Sequence, residues 1–266
     1  MESRKNMFFS YKKDPEKLPD IQKLITIAEE QGFTVVEDYK EANIIVAVGG
    51  DGAFLQAIRK SGFRDDCLYV GVTDEVEASL YCDFHIHNTQ EMIEAIQTAG
   101  VEVRRYPVID VHLDGHTHFK CLNELSVRSS IIKTFVIDVH IDDLHFETFR
   151  GDGIIVSTPT GSTAYNRSLN GAVVDPRIPC MQVSEMASLN NNQFRTLGSS
   201  FVLSNDRKLT LSIVQNGNDY PIIGLDNEAL SLQNVKNIEV EMTGSIVKTV
   251  KLKNNSFWHK VQRTFL

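Results

Sequence analysis

The feature that most constrains this chain's fold is a change of hydrophobic rhythm near residue 101. Before it, short apolar runs alternate with stretches of helical spacing. Met7–Phe9 is a strand candidate. Ile21, Leu24, Ile25 and Ala28 then recur at helical spacing, and Gly32 stands where a helix-closing glycine belongs. Phe33–Val36, Asn43–Val48 and Cys67–Val72 read as further strands; the NIIVAV run is continuous, as expected for a strand covered on both faces. AFLQAIRK reads as a helix with Gly62 near its end, and Asn88 caps another over TQEMIEAIQTAG. This βαβ rhythm predicts a Rossmann-like α/β domain over residues 1–100.

From residue 101 onward, apolar residues alternate with polar ones. Val101 and Val103 lead in, and Ile109, Val111 and Leu113 run up to the hairpin signal Asp114-Gly115. Phe119 and Cys121 continue beyond it. Phe135, Ile137, Val139 and Ile141 break at Asp142-Asp143, and Leu209, Leu211, Ile213 and then Ile238, Val240, Met242 repeat the habit. Residues 101–250 are therefore expected to form an antiparallel, β-sandwich-like domain. The tail, residues 251–266, is amphipathic, carries the only tryptophan (Trp258), and is expected to return to the first domain.

Charge and cysteine usage exclude several classes. Lys and Arg number 27 against 35 Asp and Glu, a formal net charge of −8, which argues against a nucleic-acid partner because phosphate-backbone affinity rests on clustered cations. No apolar run approaches the roughly 20 residues of a spanning helix, and Met7–Phe9 is too short for a signal-peptide core of about 7–15. Cys67, Cys82, Cys121 and Cys180 are widely spaced without a C-x-x-C pair, and read as reduced structural thiols of a cytoplasmic protein. His85 with His87 and His116 with His118 share strand faces, but lack the Cys or carboxylate partners of a metal site and read as surface groups.

Three local features point to chemistry. Gly49-Gly50-Asp51-Gly52 lies between the NIIVAV strand and a helix. Glycines there allow close backbone approach, and a turn feeding a helix N-terminus gathers amides into an anion site. A carboxylate inside such a turn repels phosphate unless it acts as a base, binds metal or meets ribose; equally, Asp51 could simply cap the helix. Neither G-x-x-x-x-G-K-[ST] nor G-x-G-x-x-G is present. The second feature is Gly151-Asp152-Gly153 followed by a hydroxyl-dense loop, Ser157-Thr158-Pro159-Thr160-Gly161-Ser162-Thr163-Ala164-Tyr165-Asn166, with Ser168 shortly after. Such a loop suits base edges and ribose, or caps itself. The third is Asn123-Glu124, set in the apolar strand CLNELSV.

Together, VGGDGAFL, LNELSV and GDGIIVSTPTGSTAYNRSLNGAVVDP resemble the NAD kinase family in order and approximate spacing. The resemblance implies an α/β domain beside a β-sandwich-like domain with the dinucleotide between them, and a homodimer or homotetramer. It implies a phosphotransferase that moves the γ-phosphoryl group of ATP to the adenosine 2′-hydroxyl of NAD. By position, Asp51 is the implied base, and Gly49, Gly50 and Gly52 cradle phosphate. Asn123, Glu124, Asp152, Ser157, Thr163, Ala164, Tyr165 and Ser168 are the implied NAD-binding residues, with Tyr81, Arg150, Ala187 and Asp226 as further, weaker matches. Mg²⁺ or another divalent metal is expected to arrive with ATP rather than on a protein cage. ATP or inorganic polyphosphate is the expected donor.

Two positions depart from the family pattern. Ala53 follows the GGDG turn where the family usually has Thr. The family's second glycine-rich segment is here GVTDEVEASLYCDF: its inner glycines after Gly71 are missing, Asp74, Glu75 and Glu77 add negative charge, and Leu80 and Tyr81 stand at the apolar end. That segment motivates a second reading, a catalytically weak dinucleotide-binding regulator. A lipid kinase sharing the GGDG turn is a third, opposed by the hydroxyl loop and by the lack of an amphipathic docking stretch.

Overall fold

A computed structural model describes residues 5–75, 79–214 and 221–266. The chain divides into two compact units, Met1–Tyr106 with Ile246–Leu266, and Pro107–Ser245.

The first unit is built on a seven-stranded sheet. Its order is Thr34–Val35, Asn6–Ser10, Ile44–Val48, Leu68–Thr73, Ile246–Leu252, Val101–Pro107, with Phe84–His85 attached to Leu68–Thr73. Strand pairs at its centre are parallel: Ile45 lies opposite Tyr69, and Tyr69 opposite Thr249. The apolar run is buried as its composition demands, with Ile45, Val46, Ala47 and Val48 all out of solvent. Helices Leu18–Glu30, Gly50–Lys60 and Thr89–Gln97 complete the α/β pattern. Ile21, Leu24 and Ala28 form the buried stripe of the first, and the Asn88 side chain accepts from the Glu91 amide at the start of the third.

The first sheet also takes in two strands that the sequence rhythm assigns to the β domain. Val101–Pro107 is its edge strand and Ile246–Leu252 lies beside it. At the edge of the sheet Val101–Pro107 leaves Val103 exposed and buries Tyr106, so its alternation of apolar and polar residues does not tell which sheet it joins. The unit boundaries accordingly fall at 106/107 and 245/246 rather than at 100 and 250. The tail forms the helix Phe257–Phe265 inside the first unit.

The second unit is a pair of six-stranded sheets whose paired strands run antiparallel. Ile109, Val111, Phe135, Ile137, Leu211 and Val240 from one sheet join Leu125, Val127, Ile154, Val156, Val183 and Ile223 from the other in a single buried core. The hairpin signals hold: Asp114 and Gly115 both have positive φ, and Ile141 pairs with Leu144 across Asp142-Asp143. All four cysteines are buried and free. Among the described residues, no helix is long and apolar enough to cross a membrane.

Candidate functional site

In the first unit, the strand Ile44–Val48 runs into the helix Gly50–Lys60 through Gly49 (φ 122°) and Gly50 (φ 76°). Both dihedrals lie where a side chain is strained, so the turn that opens the helix N-terminus requires glycine twice. The Gly49 amide is anchored to the Val72 carbonyl, 2.9 Å away. Gly52 faces open space.

Asp51 belongs to the first turn of that helix, yet its carboxylate turns to the 79–81 segment instead of capping the helix. The amides of Leu80 (2.9 Å, to Oδ2) and Tyr81 (2.8 Å, to Oδ1) donate to it, as does the Ser79 hydroxyl. Three donors fix the carboxylate's direction, as a base that must meet one hydroxyl requires. Glycine at 71 makes this approach feasible: a Cβ there would lie 2.7 Å from the Cys82 sulfur and 2.9 Å from the Tyr81 carbonyl oxygen. The Tyr81 ring is buried, stacked on Phe54 at 5.1 Å. It is thus the Tyr81 amide, not its ring, that reaches the turn.

The acidic segment 74–75 is also placed. Lys17 pairs with Asp74, and the Glu75 carboxylate lies against the turn, about 3.0 Å from where a Cβ on Gly50 would stand. A carboxylate at a helix N-terminus sits where the dipole favours an anion. Glu77 lies outside the described residues.

In the second unit, Asn123 and Glu124 are both buried at the start of the strand Glu124–Arg128. Their backbone is held by Asp226, whose carboxylate accepts from the amides of Leu122 (3.0 Å), Asn123 (2.7 Å) and Glu124 (3.2 Å). Asp226 therefore positions the Asn-Glu pair. It also repels the Glu124 carboxylate. Burial first, then that repulsion, raises the Glu124 pKa from 4.5 to about 8, against the lowering effect of the Tyr165 amide.

Glu124 lies directly opposite Ser157 in the antiparallel register. Both carry a buried polar atom with no protein partner, Oε2 of Glu124 and Oγ of Ser157. Directly opposed residues project to the same face of a sheet. Two unpaired, desolvated groups side by side are costly unless a ligand completes them.

The remaining loop hydroxyls point inward. Thr158 and Thr160 both donate to the Leu122 carbonyl, Ser162 to Pro159, and Thr163 to the Thr160 carbonyl at 3.1 Å. Gly161 presses so closely on Asn123 that a Cβ would lie 2.0 Å from its carbonyl oxygen. Of the loop's aliphatic hydroxyls, only that of Ser157 is left buried and unpaired; the others build the loop. Tyr165, half-buried, directs its hydroxyl to the Met186 sulfur at 3.8 Å; Ala164 is half-buried and Ser168 exposed.

A second corner of the unit gathers three more of the sequence matches. Asp152 is exposed, its amide bonded to the Met186 carbonyl at 2.9 Å; Arg150 accepts on its carbonyl from the Leu189 amide at 2.7 Å. Ala187, at φ 45°, completes this corner, and the Arg150 guanidinium stacks 4.3 Å above Phe194. Residues that sequence reasoning passed over are Ser79, Asp83, Lys251 and Lys260. The last two are lysines buried in a strand and in a helix, and their sequence spacing carries no signal of that burial.

Residues 122–252 match the model of the ATP-NAD kinase C-terminal domain. Over its full length the chain is 66% identical to a Bacillus licheniformis protein named NAD kinase 2, whose whole length is matched. It is 63% identical to the Bacillus subtilis protein of the same name, again over the whole chain and 99% of the relative. Among solved structures, an NAD kinase from Archaeoglobus fulgidus in complex with ATP superposes with a TM-score of 0.74 at 22% identity, over 97% of this chain and 98% of that one. Yeast NADH kinase complexed with NADH gives 0.76 at 17% identity, over 97% and 86%. These two likenesses establish the α/β-plus-β-sandwich fold; the full-length identities establish more. The chain belongs to the NAD kinase family.

Proposed function

We propose that this NAD kinase transfers the γ-phosphoryl group of ATP to the 2′-hydroxyl of the adenosine ribose of NAD, with Asp51 as the base. The full-length identity of 66% to a relative named NAD kinase 2 carries the assignment of the activity. The roles of individual residues rest on the local geometry and on the resemblance.

Asn123 and Glu124 hold the adenosine. The unpaired Oε2 of Glu124, whose carboxyl keeps its proton up to about pH 8, and the Ser157 hydroxyl offer two groups able to donate to a base edge or ribose oxygen. Thr163, Ala164, Tyr165 and Ser168 continue that surface, with Asp152, Arg150 and Ala187 toward its other end. Gly50 and Gly52 present helix N-terminal amides to phosphate, and Gly49, whose own amide is held by the Val72 carbonyl, shapes the turn that lets phosphate approach. The 2′-oxygen attacks the γ-phosphorus, the bond to the β-phosphate oxygen breaks, and ADP leaves. Asp51 takes the hydroxyl proton and returns it to solvent. The three donors on its carboxylate keep it aimed.

A divalent cation, Mg²⁺ by its chemistry, fits this site as a companion of the triphosphate. Among the described residues no three His, Cys, Asp or Glu side chains converge to hold a metal. Magnesium is commonly bound through one or two carboxylates plus phosphate oxygens, and Glu75 is a carboxylate beside the turn. When bound, it neutralises charge on the phosphate oxygens.

Four buried free thiols support a reducing, cytoplasmic setting. The resemblance to NAD kinases supports a homodimer or homotetramer. The position of Glu75 over Gly50 favours one alternative, a weakly catalytic dinucleotide-binding regulator, because an anion already lies beside the phosphate turn.

A coupled NADP-formation assay separates these readings. Asp51→Asn, checked by circular dichroism, should lose about 10²–10⁴-fold in kcat. Turnover retained in the folded variant refutes Asp51 as the base. NAD binding by the unaltered protein without NADP production from Mg²⁺ and ATP establishes the regulator. Comparison of ATP with inorganic polyphosphate fixes the donor.

A further inference from the structure

The first unit buries two lysines against one carboxylate. Lys251, on the strand Ile246–Leu252, and Lys260, on the helix Phe257–Phe265, have side chains 0% and 2% exposed, and Asp83 is 0% exposed. Lys260 pairs with Asp83, and Lys251 stands 3.7 Å from the same oxygen. The other Asp83 oxygen accepts from the Leu252 amide at 2.7 Å. One carboxylate thus answers two ammonium groups. Burying an ammonium ion costs several kcal/mol even when paired, and an apolar side chain would pack such a place at lower cost. The surplus cation needs another explanation than stability.

Its hydrogen bonds supply one. Lys260 donates to the Leu80 carbonyl at 2.8 Å. The amide of that same peptide group, the Tyr81 N–H, donates to Asp51 Oδ1 at 2.8 Å. Lys251 donates to the Tyr81 carbonyl. The amide of that peptide group, the Cys82 N–H, donates to Ser79 Oγ at 2.7 Å, and the Ser79 hydroxyl donates in turn to Asp51 Oδ1. Two chains of polarised groups therefore start on the two ammonium ions and end on one oxygen of Asp51. A cation on a peptide carbonyl strengthens the opposite N–H as a donor, and chained bonds reinforce one another. Lys251 also lies 5.7 Å from the Phe54 ring, one turn beyond Asp51 on the same helix and stacked on Tyr81.

We propose that Lys251 and Lys260 are positioning residues for Asp51: through the peptide groups of residues 80–82 they hold its carboxylate aimed for proton abstraction. This rests on Asp51 being the base.

The groups facing this network from the packed elements are Asp83, Tyr106, Arg104 and Cys82. Burial first, then Lys251, lowers the Lys260 pKa to about 8, against the pull of Asp83. Its charge is therefore within experimental reach in the unaltered enzyme.

The test compares Lys260→Met, Lys260→Gln, Lys251→Met and Asp51→Asn in Mg²⁺-ATP-dependent NADP formation. Expected is a kcat about tenfold lower or more in the lysine variants, with KM for NAD and ATP within about twofold. Amide exchange in the 79–83 peptide should quicken, and Lys260→Gln, which keeps a donor, should recover part of kcat. A folded Lys260→Met enzyme with unchanged kcat and unchanged amide exchange in the 79–83 peptide, beside an inactive Asp51→Asn, overturns the proposal alone. Activity in Asp51→Asn overturns the reading beneath it. Should no lysine variant fold, the unaltered enzyme decides: kcat must fall as Lys260 discharges near pH 8, and a flat profile to about pH 9.5 overturns the proposal.

Discussion

Replacing Glu124 by Gln tests the charge economy of the nucleoside end directly. In the folded protein the Glu124 carboxyl holds its proton up to about pH 8, against 4.5 for an ordinary glutamate. At roughly 1.4 kcal/mol per pH unit, that rise amounts to about 5 kcal/mol of linkage. The sign follows from which state binds the proton more tightly. Here the folded state does, so the contribution is complete below pH 4.5 and is lost progressively as pH rises through 8. Glutamine has the shape of the protonated acid and never ionises, so the variant escapes the loss. Urea unfolding of both proteins at pH 5 and pH 8.5, without ligand, should show the variant gaining on the parent by about 4 kcal/mol between the two conditions. Other titrating groups cancel in the difference. A gain below about 1 kcal/mol would show that Glu124 is already ionised at neutral pH, and that the buried, Asp226-facing environment does not govern its proton.

Three further outcomes follow. Ser157→Ala removes a buried hydroxyl that has no partner; it should leave thermal stability unchanged or raise it by about 1 kcal/mol while increasing KM for NAD. A loss of stability would mean the hydroxyl is structurally engaged. Gly161→Ala sets a Cβ 2.0 Å from the Asn123 carbonyl oxygen; it should cost about 3 kcal/mol by denaturant titration and weaken NAD binding in calorimetry. Removal of divalent metal by EDTA should abolish turnover with ATP, and Mg²⁺ should restore it; full activity in the chelator would contradict a triphosphate-borne cation.

The elements legible from the sequence are those in which one local cause dominates. The NIIVAV run gave its own strand because both faces are covered, and Asp114-Gly115 gave its hairpin because positive φ leaves few residues to choose from. Val101–Pro107 and Ile246–Leu252 belong to the first sheet although their alternation matches that of the antiparallel strands, because period-two patterning reports a strand and not the sheet that it joins. The hydroxyl loop was recognised, but its division of labour was not: Thr158, Thr160, Ser162 and Thr163 bond backward into the protein, and only tertiary placement singles out Ser157. Asp226 was a weak match for a ligand contact, whereas the structure has it gripping the 122–124 backbone. Asp83, Lys251 and Lys260 lie as much as 177 residues apart in sequence, and no spacing rule connects them.

The first sheet has a consequence for synthesis on the ribosome. The second unit, Pro107–Ser245, is one continuous stretch and can close as soon as it has emerged. The first unit is interrupted by it: Tyr69 pairs with Thr249, and the Asp51 network draws on Lys260. Closing contacts over such separations is slow, since loop entropy is lost before the contacts form. The segment made first is therefore completed last. A nascent chain that stalls before residue 246 carries the Asn123-Glu124 pair but lacks the Ile246–Leu252 strand of the sheet that holds Asp51. The chemistry switches on only when translation has reached the tail.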